Sequence, residues 1–170
     1  STKEPPKREM TLFHLLSMTS GLTYGGTESE TEVQTQVLFD EVIAKMDTEN
    51  GLSTIDFANR LAEIPLAFAP GERWCYGTSA DVLGAVVEPV SEMDLGMFLR
   101  TRVFEPLGME DTDFFVPPEK QCRLAKVYSN STEGLMEYRF NHLGISNTMT
   151  TRPRFMSGGA GLVSTVGDYG

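Results

Sequence analysis

Pro70-Gly71-Glu72-Arg73-Trp74-Cys75-Tyr76-Gly77-Thr78-Ser79-Ala80-Asp81-Val82-Leu83-Gly84 reads as a tight turn, a short aromatic segment and the opening of an apolar helix. Proline presets one backbone angle of such a turn, and glycine accepts the other. Beyond it, Val82, Leu83, Val86, Val87 and Val90 make the helix over 79–90 apolar around most of its circumference, which predicts a central place among other elements. Upstream, Ile55, Ala58, Leu61 and Ala62 share one face of a helix over 54–64 that Pro65 stops. Before that, Val33, Val37, Leu38, Val42, Ile43 and Met46 recur at helical spacing over about four turns. Leu12, Phe13, Leu15 and Leu16 give a short apolar helix face capped by Thr11, ending at Thr19-Ser20-Gly21, and 22–30 reads as a loop. Downstream, Leu95, Phe98, Leu99 and Val103 predict a helix ending near Pro106 and Gly108. The pattern then weakens, with short strands expected over 123–128 and 135–140. The fold class expected is mainly α with minor β.

The 170 residues suffice for one domain with its own core, and 40% hydrophobic with 22% charged residues is near globular usage. No stretch approaches the ~20 apolar residues of a membrane helix, and Ser1-Thr2-Lys3-Glu4-Pro5 is no signal peptide. The polar, Pro-rich residues 1–9 are expected to lie extended on the surface, and the compartment stays open. A net charge of −10 argues against nucleic acid or an anionic membrane as the partner. Residues 28–49 are acid-rich and 119–154 base-rich, a pattern expected of solvated faces. Cys75 and Cys122 have no metal-ligand spacing and no accompanying ligand cluster. They could form one disulfide, but two free, partly buried thiols are the expected state.

Generic chemical motifs are sparse. Gly158–Gly161 lacks the Lys-Ser/Thr of a phosphate loop, and neither G-x-G-x-x-G nor G-x-S-x-G occurs. His14 lies beside an apolar helix face and is expected to be structural, and no triad is assigned to it or to His142. Asn130-Ser131-Thr132 is a formal glycosylation sequon. At the C-terminal end, Thr165-x-x-Asp168 is a capping pattern that announces a helix as the chain stops at Gly170, which suggests an internal fragment.

Four ordered segments carry a family resemblance. Thr11-Leu-Phe-His-Leu-Leu-Ser-Met-Thr-Ser-Gly-Leu22 is similar to I-T-x-R-x-L-L-T-H-T-S-G-L, and the 70–84 segment to P-G-x-x-x-x-Y-S-N-x-x-x-x-L-G. Phe104-Glu-Pro-Leu-Gly-Met-Glu-Asp-Thr112 resembles F-x-P-L-G-M-x-D-T, and Gly158-Gly-Ala-Gly-Leu-Val-Ser-Thr-Val-Gly-Asp168 resembles G-G-x-x-S-T-x-x-D. Together they resemble the serine β-lactamase-related family: class C β-lactamases, DD-peptidases and family VIII esterases. The resemblance implies the helical subdomain of a β-lactamase/transpeptidase-like α+β fold. On this reading 1–170 is one partial domain, with a helical insertion region over about 11–112 and a loop and short-strand region over about 113–170. The N- and C-terminal α/β parts of the parent would lie outside it.

The resemblance also implies a mechanism, in which Tyr76 occupies the position of the tyrosine that moves the proton during acylation and deacylation. An ordinary phenol, with pKa ~10, is a poor base at neutral pH, so nearby lysine ammonium groups must favour its anion or share its proton. In the family that lysine belongs to S-x-x-K, whose serine forms the acyl-enzyme, while backbone N–H groups hold the oxyanion. No serine of this chain is followed three residues later by lysine. The nucleophile is therefore expected upstream of Thr11 and the K-T-G or H-x-G strand motif downstream of Gly170, so the chain alone is expected to be inactive. Thr78 stands where β-lactamases commonly carry a substrate-binding asparagine, which leans toward an ester- or peptide-hydrolysing relative. The implied substrates are small-molecule esters, β-lactams or D-amino-acid peptides, with no cofactor and no metal. Faces that meet the missing sheet could drive self-association. A non-catalytic relative that binds peptidoglycan-like peptides or scaffolds a partner is the rival expectation.

Overall fold

The computed structural model describes residues 8–46, 48–132 and 134–170. The expected course of residues 1–7 lies outside these, while Arg8 and Glu9 are exposed. Helices α1 (Leu12–Leu16), α2 (Glu30–Lys45), α3 (Thr54–Leu61), α4 (Ser79–Ser91) and α5 (Leu95–Leu99) follow in order, and the next turn, Arg100–Phe104, is π-helical. Then come α6 (Glu105–Leu107), a 3-10 turn (Pro118–Arg123), β1 (Tyr128–Ser131), β2 (Gly134–Glu137) and α7 (Val166–Tyr169). The protein is mainly α with minor β, as its sequence predicts.

Local chemistry starts and stops these helices. At α1 the N3 residue is His14, whose Nδ1 lies 3.2 Å from both the Thr11 amide and Thr11 Oγ1, completing a reciprocal cap. The Ser29 hydroxyl accepts from the Glu32 amide to open α2, and Ser53 and Asp56 cap α3 reciprocally. The α6 end is a Schellman closure. Gly108 takes φ +70, its amide reaches Glu105 and the Met109 amide reaches Phe104.

The core lies where α2, α3 and the segment around Phe155 meet. Phe57 is fully buried between Phe39 and Phe155, with ring centroids at 5.3 and 4.4 Å, and Leu15, Leu22, Leu38, Val42 and Leu61 close around it. A second cluster joins Leu95, Phe114 and Met156. Helix α4 packs against α1, α3 and α5 and is central in that sense.

The expected helix faces need correction. On α2 the buried row is Thr31, Thr35, Leu38, Phe39 and Val42, whereas Val33 and Val37 point outward. On α3, Thr54 and Phe57 join Leu61 in the interior, Ile55 is exposed, and the helix ends at Leu61, ahead of Pro65. Leu12, Phe13 and Leu16 are exposed, and only Leu15 and His14 of α1 are buried. On α4, Ser79, Asp81, Gly84 and Ala85 are buried and Val90 is exposed. The strands also differ: Arg123 ends a 3-10 turn, and the hairpin pairs Tyr128 with Glu137 and Ser131 with Gly134. Both cysteines are free, Cys75 half-buried and Cys122 exposed rather than partly buried.

The third and fourth motif segments are bound to each other. Asp113 and Val163 exchange backbone hydrogen bonds of 3.1 and 2.9 Å. Asp168 Oδ2 accepts from the Asp111 amide at 2.8 Å and the Thr112 hydroxyl at 2.7 Å. Thr165 caps α7 as its sequence predicts, but the Asp168 carboxylate is spent on this long-range clasp instead of returning to the cap.

Candidate active site

The first two motif segments lie side by side. The Gly71 amide donates to the Thr19 carbonyl at 2.7 Å, and the Cys75 amide to Met18 at 2.8 Å. Ser20 and Ser79 hydroxyls meet at 2.8 Å in the interior, and Thr78 Oγ1 donates to the Thr23 carbonyl at 3.4 Å. At Gly77 the loop runs so close to the Leu22 and Thr23 backbone that a Cβ would strike the Leu22 carbonyl oxygen. Glycine is required there for space. These bonds hold the loop by its backbone and leave its aromatic side chains outward.

Tyr76 is the product of that arrangement. It is 58% exposed, stacked on Trp74 at 6.4 Å between ring centroids, and receives the edge of Tyr24 at 5.3 Å. Tyr24 in turn rests on Phe39 of the core at 6.2 Å. Tyr76 is thus a presented phenol on a braced platform. Thr78, two residues on, is fully buried. The structure brings the backbones of these two expected site residues together but sends their side chains to opposite sides of the loop.

Behind the platform lies Asp81, 1% exposed on the first turn of α4. Its Oδ1 accepts from the Ser157 hydroxyl at 2.6 Å and the Gly159 amide at 3.2 Å, which docks the fourth motif segment on α4. Burial raises the Asp81 carboxyl above the ordinary carboxylate range and outweighs those hydrogen bonds, which pull the other way. Burial likewise pushes the Tyr24 phenol up, helped by Asp81 and Tyr76. Sequence reasoning missed both Tyr24 and Asp81. Their one sequence signal was position, since each lies within or just beyond a motif segment.

Other candidates resolve as structure. His142-Leu143-Gly144 satisfies H-x-G by letter, a match the sequence reading overlooked. It forms a two-residue turn, with His142 and Ile145 exchanging hydrogen bonds of 3.1 and 2.9 Å and positive φ at Leu143 and Gly144. That turn packs on Val42 and Phe155 and offers no strand wall. A cavity of about 670 Å³ lies between the third motif segment and the 3-10 turn, lined by Phe104, Asp111, Phe115, Lys120 and Arg123 among others, and it does not include Tyr76. No group of three potential metal ligands occurs among the described residues.

A tyrosine presented at a P-G-x-x-x-x-Y turn, on a helical frame clasped by the G-G and P-L-G segments, defines the helical subdomain of a β-lactamase/transpeptidase-like fold. The Beta-lactamase family model matches residues 1–170. Lovastatin esterase of Penicillium rubens is 31% identical over 170 residues, covering 98% of this chain and 39% of that relative. Esterase EstB of Burkholderia gladioli is 38% identical over 110 residues, 62% of this chain and 26% of the relative. The structure of EstCE1, a hydrolase with promiscuous acyltransferase activity, superposes with a TM-score of 0.74 at 26% identity, covering 92% of this chain and 42% of that one. The chain belongs to the serine β-lactamase-related family. It spans less than half the length of these relatives.

Proposed function

We propose that this chain supplies the tyrosine wall of a serine hydrolase that cleaves small-molecule esters through an acyl-enzyme, with Tyr76 as the group that moves the proton. The carrying observation is the presentation of Tyr76: a half-exposed phenol on a loop whose Gly71 and Cys75 amides and Thr78 and Ser79 hydroxyls are bonded inward. A tyrosine needed only for packing gains nothing from such exposure. Esters are preferred over β-lactams or D-amino-acid peptides because Thr78 replaces a carboxamide and two relatives are named as esterases. The nucleophilic serine, its lysine and the third motif come, on this reading, from sequence outside the 170 residues, which comprise a helical region over about 11–112 and a loop and short-strand region over about 113–170. Thr78 keeps the loop in register, and it contacts substrate only where its hydroxyl leaves the Thr23 carbonyl.

The test is intact-mass analysis of the full-length parent after exposure to a fluorophosphonate and to a β-lactam, with the 170-residue chain as control. One stoichiometric adduct on the parent and none on the chain is expected, with the fluorophosphonate reacting faster. Tyr76→Phe in the parent is expected to slow acylation by about 10²–10⁴-fold, the usual worth of general acid–base help. A folded parent that takes no adduct would sink the hydrolase reading in favour of a binding protein, and an adduct on the chain alone would relocate the nucleophile.

A further inference from the structure

Asp81 Oδ2 is a buried carboxylate oxygen without a hydrogen-bond partner, while its twin oxygen accepts two donors. Such an atom carries a desolvation cost unless something answers it. What faces it is the surface above Gly159. A Cβ built there would lie 2.8 Å from the Tyr24 hydroxyl and 3.2 Å from Asp81 Oδ2. Both oxygens therefore border the same small space, which only a residue without a side chain leaves open. The other side of Tyr24 meets Tyr76 edge to face. Three oxygen-bearing side chains, Asp81 and Tyr76 of the second motif segment and Tyr24 just beyond the first, thus run from the interior to the presented phenol, with Gly159 of the fourth segment beside them.

We infer that Tyr24 is a positioning residue for Tyr76, with Asp81 behind it: a carboxyl–phenol–phenol chain through which the interior sets the hydrogen bond offered to the Tyr76 oxygen. The inference rests on the proposed role of Tyr76 and adds to it a residue that acts through that phenol. The physical argument is directional. A phenol that is to support a neighbour giving up its proton must itself stay protonated, and burial together with Asp81 keeps Tyr24 so. Asp81 Oδ2 borders the Tyr24 hydroxyl without bonding it, which leaves that hydroxyl's proton to be offered toward Tyr76, whose ring lies 5.3 Å away. The chain is anchored at both ends, since Asp81 is tied to Ser157 and Gly159 and Tyr76 is stacked on Trp74. No bond forms or breaks in Tyr24 or Asp81.

The experiment uses the 170-residue chain labelled with ¹³C at tyrosine Cζ, each resonance assigned by its loss in a Tyr→Phe variant. Tyr24→Phe removes one oxygen and keeps the ring edge against Tyr76, so the ring contact is conserved. The expected result is that Tyr24→Phe displaces the Tyr76 Cζ resonance at pH 7 and that Asp81→Asn displaces the Tyr24 resonance. The Tyr24 signal itself should stay unmoved through the region near pH ~10, where an ordinary phenol ionises. A Tyr76 resonance that is the same in Tyr24→Phe, in a chain with unchanged circular dichroism, overturns the inference. If Tyr24→Phe unfolds the chain, Gly159→Ala serves instead, because its methyl would part the two oxygens from outside, and an undisturbed Tyr24 resonance there overturns the inference equally. None of these readouts depends on turnover. A hydrolase reading that fails by mass analysis therefore leaves the chain of oxygens standing, and the reverse failure is equally visible.

Discussion

Gly77 and Asp111 show how single residues hold the site and its frame. A methyl at Gly77 would meet the Leu22 carbonyl, backbone against backbone, so neither side can yield by rotating a side chain. Gly77→Ala is expected to cost about 1–3 kcal/mol in chemical denaturation, as other overpacked positions do, and to slow acylation in the parent by displacing Tyr76. At Asp111, hydrogen bonds from Arg123 and then Lys120 bring the carboxyl down to about 2. A carboxyl depressed in the folded state contributes stability above its unfolded value, ~3.9, and loses it as pH falls through the folded value. Thermal melts of Asp111→Asn between pH 5 and pH 2 should therefore show a shallower acid slope than the parent sequence. At this scale Tyr76 was legible because its loop carries a dense local pattern. Tyr24 and Asp81 were not, because their partners lie far along the chain and burial alone makes them unusual.

Elements were easier to find than to orient. All five longer helical stretches were visible in apolar spacing, and Thr11, Gly108 and Thr165 mark boundaries as their chemistry dictates. The faces were misjudged where threonine took the place of valine. Thr31 and Thr54 are buried because each hydroxyl has a backbone partner, Pro65 carbonyl at 2.9 Å and Met156 amide at 3.0 Å. Threonine packs there with the shape of valine, even at Thr35, whose buried hydroxyl has no partner, and no spacing rule can foresee it. The short strands were misplaced because an exposed hairpin has no buried face to stamp an alternating pattern on its sequence. Ser53 offers a direct check on the element scale. Its hydroxyl and the Asp56 carboxylate satisfy each other's backbone at the start of α3, the helix that carries Phe57. Ser53→Ala should lower unfolding free energy by about 1 kcal/mol, read in urea titration, with Phe57 packing otherwise intact.

For the whole molecule, Leu12, Phe13 and Leu16 expose 55–72% of their surface on one face of α1. We expect the isolated chain to self-associate through this face, and Phe13→Glu with Leu16→Glu to return it to a monomer in sedimentation velocity; identical profiles would remove the face from consideration. The Asp168 clasp works at the same scale. By tying α7 to Asp111 and Thr112, it closes the 113–167 segment, whose Phe155–Gly159 stretch is held in the core and on α4 while the β1–β2 hairpin stays exposed. The exposed hairpin within that closed segment is a natural carrying point. Doubling the length of a flexible loop costs only about 0.6 kcal/mol. A peptide handle or small reporter spliced between Thr132 and Gly134 would hang from the hairpin, while Tyr76 keeps its bearing on a loop held by residues 18–23.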